Sequence, residues 1–209
     1  MKANRMDARL LLVSHASTAA QRAGRFPADD PLDARGFAQA KAARARIMLP
    51  DDAAVFVSPA ACARETASAL GLAATIDDML ADMDYGSWHG RRLADLAVDA
   101  QAALAAWTRD PDAAPHGGES FSQLVKRMGT WLDARPLAIS GSSSTTSKAN
   151  PARDIVAITH ATLLRAAVVH ALGASPAVFA RIDIGPLSVI ELRHSQRGWT
   201  WWPASRASI

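Results

Sequence analysis

Four apolar residues, Leu10-Leu11-Leu12-Val13, run directly into Ser14-His15-Ala16-Ser17-Thr18. A short apolar run without alternation is the pattern of a strand buried on both faces, as in a parallel sheet covered by helices. Ligands of such sheets bind just beyond the carboxyl ends of the strands. The stretch therefore points to the α/β class and puts His15 at the edge where chemistry is done. Far downstream, Asp154-Ile155-Val156-Ala157-Ile158-Thr159-His160-Ala161 repeats the arrangement. One strand-end histidine is most simply structural. Two, each followed by alanine and a helix-like segment, point to one shared site.

The segments between them alternate as a mostly parallel sheet requires. Residues 24–32 form a breaker-rich loop. A helix is predicted over 34–49 and closed by Pro50, and a strand over 54–57. The next helix, 60–71, has Pro59 at its start and Gly71 at its end, as helix ends prefer. Residues 77–90 hold two glycines, Asp82, Asp84 and Trp88, and read as a shaped loop. Helices are predicted over 91–107, 119–135 and 163–172, and a closing hairpin over 187–192 and 199–202. The Ser/Thr-rich stretch 140–152 has little to bury and is expected to be a flexible insertion. With 209 residues, 49% of them hydrophobic, the chain suits a single domain over 1–209.

Composition narrows the partners. The charges, 23 basic against 20 acidic, are scattered. A nucleic-acid surface needs a basic patch, and no Lys/Arg run supplies one. The formal net charge of +3 fits a small anionic substrate. Leu10 to Val13 is too short for a signal peptide or a membrane span. The lone cysteine, Cys62, excludes an internal disulfide and suits a reducing compartment. A cytoplasmic protein is expected, with no nucleic-acid and no membrane partner; its oligomeric state is left open. No ligand cluster has zinc-type spacing, so neither metal nor cofactor is expected. Cys62 near a helix start could be reactive. A cysteine-based phosphatase, however, wants arginine where Ser68 stands, and a buried filler is the simpler reading. Phe26 and Trp88 suit a pocket mouth or the core equally, and Asp84 reads as structural.

Two neutral imidazoles at strand ends suit phosphoryl transfer through a phosphohistidine. One attacks phosphorus in line, and the other bonds the equatorial oxygens as charge develops there. A carboxylic acid must protonate the leaving oxygen, and Asp82 and Asp84 are the candidates. Helix N-termini behind the strands add backbone N–H groups for the same anion.

With these residues in place, the chain resembles the histidine phosphatase superfamily, the branch of phosphoglycerate mutase and many small phosphatases. The family's Arg-His-Gly opening corresponds to Ser14-His15-Ala16, with Thr18 also matching. Its Gly-Arg loop followed by Asp-x-Pro-Leu is similar to Gly24-Arg25 and Asp29-Asp30-Pro31-Leu32. Its Ser-Pro-Leu-x-Arg-Ala-x-x-Thr-Ala motif lines up with Ser58 to Ala67, and its Leu-x-Glu-x-x-x-Gly-x-Trp-Glu-Gly segment with Leu80 to Gly90. Gly117-Gly118-Glu119-Ser120 is unchanged, and Thr159-His160-Ala161, with Arg165 following, matches the closing motif. The resemblance implies a three-layer α/β/α fold with a mostly parallel central sheet, phosphoglycerate mutase-like. It implies His15 as nucleophile, His160 as its phosphate-binding partner and Asp82 in the place of the proton donor, normally Glu.

The departures matter as much. The family's two phosphate-clamping arginines are replaced by Ser14 and Cys62. Arg25 and Arg64 are the nearest substitutes, although Arg64 lies two places past Cys62 and helical residues two apart do not face the same way. A hydrogen bond to a charged group contributes roughly 1.5–3 kcal/mol, so two lost clamps remove about 3–6 kcal/mol. The expected function is a weakened phosphatase-like hydrolase of a small phosphomonoester, acting through His15. The alternatives are a catalytically degenerate member that binds a ligand or partner and, third, a phosphoglycerate mutase-type isomerase.

Overall fold

The computed structural model describes residues 8–141 and 154–203, with side chains through residue 135 in the first segment. Most of the insertion predicted over 140–152 lies outside the described residues. Six strands form one sheet in the order β3-β2-β4-β1-β5-β6. They are β1 (Ala8–Ser14), β2 (Ala54–Val57), β3 (Thr75–Ile76), β4 (Asp154–Thr159), β5 (Val189–Ser195) and β6 (Gly198–Trp202). β1, β4, β2 and β3 run parallel, while β5 and β6 close the sheet as an antiparallel hairpin.

Alternation along the central strands sends side chains to two cores. Leu10, Leu12, Ile155 and Ala157 join the larger cluster, which takes in the helices α6 (Phe121–Gly141) and α7 (Ala161–Ala171). Leu11, Val13, Val156 and Ile158 face the other way, onto Ala63 and Ala67 of α3 (Ala61–Ala69). Both faces are covered, which explains why these strands read as unbroken apolar runs. No helix among the described residues is long and apolar enough to cross a membrane.

Three predicted helices differ in their ends, and the one over 119–135 runs on as α6 to Gly141, taking in the first two residues of the predicted insertion. The helix over 34–49 stops at Ala43 as α2 (Ala34–Ala43). Ala40 packs beside Ala16, whereas Ile47 and Leu49 pack against the α3-side core, so the chain turns between them. The helix over 91–107 divides at Ala100 (φ −139°, ψ 39°) into α4 (Leu93–Asp99) and α5 (Gln101–Arg109). The break lets Leu96 and Trp107 both reach the larger core. After Ser14 comes only a short helix, α1 (Ala19–Arg22), capped by the Thr18 hydroxyl.

Candidate active site

Strand register assembles the centre of the site. In the parallel pair β1–β4, Ser14 stands opposite Thr159, so the next residues, His15 and His160, leave the sheet side by side. The His15 amide still bonds Thr159 O at 2.8 Å. On the other flank of β4, Val57 pairs with Ile158, and Ser58 follows with its amide on Ile158 O at 2.9 Å. Three adjacent strands thus deliver Ser58, His160 and His15 to one edge. The His15 and His160 ring centroids are 5.0 Å apart at 66°.

Each ring has fixed neighbours. His15 Nδ1 lies 2.7 Å from the Ala16 carbonyl oxygen. A carbonyl only accepts, so Nδ1–H donates this bond and Nε2 takes no part in it. His160 Nε2 lies 2.8 Å from Ser58 Oγ, and its Nδ1 stands 3.3 Å from Asp82 Oδ2 without hydrogen-bond geometry. Burial pushes His160 down to about 4, against the pull of Asp82 and with the push of His15. It is a neutral imidazole at neutral pH. Burial, reinforced by Asp82, pushes the Cys62 thiol up to about 12, so Cys62 is no thiolate nucleophile here.

Asp82 is held by a different kind of structure. It lies in the loop between the 3₁₀ turns Asp78–Leu80 and Gly86–Trp88. Its Oδ1 accepts the Met83 amide at 2.8 Å and the Thr162 hydroxyl. Thr159 Oγ1 donates to Leu80 O at 2.7 Å, tying the loop to the end of β4. From α6, Arg127 donates to the carbonyls of Met79, Ala81 and Asp82, while Glu119 holds the same guanidinium at 2.8 Å. The loop also needs glycine. A Cβ on Gly86 would sit 2.1 Å from His116 O, and one on Gly118 would sit 2.2 Å from Asp84 O. Arg127 belongs to none of the sequence motifs, and its one signal in the chain is its place eight residues past Glu119.

The histidines open into a cavity of about 600 Å³. Of the residues singled out in the sequence, His15, Thr18, Arg25, Cys62, Asp82, His160 and Ala161 line it. Ser14 and Arg64 do not. Ser14 is buried, with Oγ donating to Gly185 O at 2.7 Å and accepting the Ser188 amide at 3.0 Å. Arg64 is exposed on α3. Phe26 lines the cavity together with Tyr85 and Trp107, while Trp88 packs in the core behind them. Arg165, one turn past Ala161 on the same helix face, is a second cation on the cavity wall beside Arg25. Its guanidinium lies 3.8 Å from Asp183 and over the Phe179 ring at 5.8 Å.

Comparison with known proteins agrees with this geometry. The chain is 28% identical over 192 residues to the bifunctional protein Rv2228c of Mycobacterium tuberculosis, covering 88% of this chain and 50% of that one. It thus spans about half the length of the curated relatives first matched. A glucosyl-3-phosphoglycerate phosphatase of M. tuberculosis is 31% identical over 99 residues, 46% of this chain and 42% of that protein. The solved structure of the mycobacterial glucosyl-3-phosphoglycerate phosphatase Rv2419c with VO3 superposes with a TM-score of 0.75 at 26% identity, covering 95% of this chain and all of that one. The profile of the histidine phosphatase superfamily, branch 1, matches residues 10–202, from the strand that bears His15 to the last strand of the sheet. A match over that span, on a sheet whose paired strands end in facing histidines, makes the chain a member of that superfamily.

Proposed function

We propose that the protein is a phosphatase-type hydrolase that moves the phosphoryl group of a small phosphomonoester to His15 and then to water. The observation that carries the reading is the Nδ1–H bond from His15 to the Ala16 carbonyl, which leaves Nε2 as a free nucleophile beside His160. Nε2 attacks phosphorus, the P–N bond forms and the P–O bond to the leaving group breaks. Asp82 passes a proton to the departing oxygen. Ser58 Oγ and His160 Nε2, side by side at 2.8 Å, bond the equatorial oxygens. Arg25 and Arg165 supply the positive charge on the cavity wall. Water then attacks the phosphohistidine, with Asp82 as base, and inorganic phosphate leaves. The likeness to phosphatases of phosphorylated small molecules supports the substrate class.

One observation favours a second reading, a ligand-binding member without turnover. Ser14 is locked away from the cavity and Cys62 carries no charge there, so neither replaces a clamping arginine. Mixing the protein with labelled phosphomonoesters and quenching in alkali decides between them. An acid-labile phosphate on His15, with hydrolysis across a phosphoester panel, is expected. No phosphoenzyme and no hydrolysis would leave the binding reading.

A further inference from the structure

We propose that His15, Cys62 and His160 form a binding site for a zinc-class divalent cation, and that the bound cation withdraws the His15 nucleophile. The second half rests on the phosphatase reading above; the first half does not. One ring nitrogen from each histidine and the Cys62 sulfur all lie within 4.8 Å of one another. The three residues are far apart in sequence, which is why no ligand spacing shows in the chain. Register brings the histidines together, and the first turn of α3 lays Cys62 against them.

The donors have the chemistry of a metal site. Two imidazoles and a thiolate suit a borderline-soft ion such as zinc or cobalt, not magnesium or calcium, which want oxygen cages. With metal–nitrogen bonds of about 2.0–2.1 Å and metal–sulfur of about 2.3 Å, tetrahedral donors stand about 3.4–3.6 Å apart. Closure therefore asks for shifts of about 1 Å. Each ring stands beside an outer partner of the kind that metal-bound histidines use. His15 Nδ1 donates to Ala16 O, which aims Nε2 inward. His160 Nδ1, buried and without a hydrogen bond, stands 3.3 Å from Asp82 Oδ2. A small turn of the ring gives a carboxylate–histidine–metal relay, with Asp82 braced by Met83 and Thr162. Ser58 Oγ would yield His160 Nε2 and keep the Ala60 amide, now at 3.2 Å.

The Asp82 and Asp29 carboxylates line the same cavity as Cys62, opposite in sign to a bound cation. On binding, the S–H bond breaks, its proton leaves to solvent, and a sulfur–metal bond forms. No electron is transferred. The fourth position faces the cavity and takes water, as in sites with three protein ligands. The Nε2 lone pair that would attack phosphorus is then committed to the ion.

Titration of the metal-free full chain with Co²⁺ tests the proposal. One ion per chain is expected, with a sulfur-to-cobalt charge-transfer band in the near-ultraviolet, displaced by Zn²⁺ and indifferent to Mg²⁺. Cys62→Ser should abolish the band and weaken binding by at least ~10-fold, the lower end of what even outer partners contribute. Cys62→Ala, with circular dichroism, guards against a variant that fails to fold. Cobalt bound without the sulfur band, or no binding to the folded parent, overturns the site. Zinc should stop hydrolysis by the metal-free enzyme, and a chelator should restore it. Hydrolysis indifferent to bound zinc overturns the inhibitory role and leaves the phosphatase reading standing. A sulfur–cobalt band in a chain that hydrolyses nothing upholds the site and removes that reading instead.

Discussion

The two halves of the candidate site are built differently. The strand-end half, Ser58, His160 and His15, is set by backbone ladders between three neighbouring strands. The loop half, around Asp82, has no ladder. It is held by side chains reaching backbone: Arg127 on three carbonyls, Thr159 on Leu80 O, and close backbone contacts at Gly86 and Gly118. A ladder distributes its load over many bonds, so single substitutions at the strand ends remove chemistry and leave the fold. The loop concentrates its load, so a residue that never meets substrate can move the carboxylate.

The sharpest test is at the strand ends. His15→Ala is expected to lower turnover by on the order of 10³-fold or more, since no other group forms the covalent intermediate. Its melting temperature should stay near the parent's, because the half-exposed ring makes only a local bond to Ala16 O. Steady-state hydrolysis and calorimetry read both. A large loss of stability would show that the edge is not held by its ladders alone.

Next is Arg127→Met in the loop half. It should lower kcat by about 10²-fold with little change in KM, the cost of a carboxylate displaced by about 1 Å. It also strips Glu119 and three carbonyls of their partner, destabilising the protein by about 2–3 kcal/mol. Unchanged kcat in a destabilised variant would make Arg127 purely structural and erase the contrast between the halves.

Cys62→Arg adds a cation to the cavity. Vanadate or phosphate binding should tighten on the order of 10–10²-fold, from one charged hydrogen bond of about 1.5–3 kcal/mol. Ser14→Arg should not help. Ser14 is 1% exposed and its hydroxyl spans Gly185 and Ser188, so the larger side chain overpacks the strand end. Inhibition by vanadate, with melting curves for each variant, separates the two positions.

The smallest effect concerns a latch on the rim of the loop. His89 Nε2 lies 3.1 Å from Asp84 Oδ1, and its Nδ1 is 2.7 Å from Pro27 O. Burial alone would lower His89, but those two acceptors outweigh it and hold it above its ordinary 6.5. Asp84 is held below its ordinary 3.8 by the Gly86 amide first and His89 second. The charged histidine therefore stabilises the latch fully below pH 6.5, and that is lost as pH rises through its raised value. The carboxylate's part is present above 3.8 and is lost as pH falls through its lowered value. Both side chains are largely exposed, so the pair contributes about 0.2–1 kcal/mol. Titration by NMR should show the His89 midpoint moving to lower pH in Asp84→Asn. An unmoved midpoint would leave Pro27 O as its only effective partner.

What the sequence determined is what local chemistry can write. Unbroken apolar runs specified strands covered on both faces, and the polar residues that end them placed His15 and His160 at a sheet edge. Glycines and carboxylates marked the 77–90 loop. What tertiary structure decided is who meets whom. The two-residue strand β3 and the break at Ala100 carry little local signal, because pairing and packing make them. Ser14 and Cys62 look alike as departures from a motif, yet the sheet turns one toward Gly185 and Ser188 while α3 turns the other into the cavity. Arg127 holds the Asp82 carbonyl from a helix that no spacing rule links to it, and Glu119 holds Arg127 in turn. The three donors at positions 15, 62 and 160 become one cluster only because β4 lies between β1 and β2. Sequence periodicity reports which face a residue takes on its own element; which elements stand side by side is set by burial summed over the whole sheet, and that sum is not local.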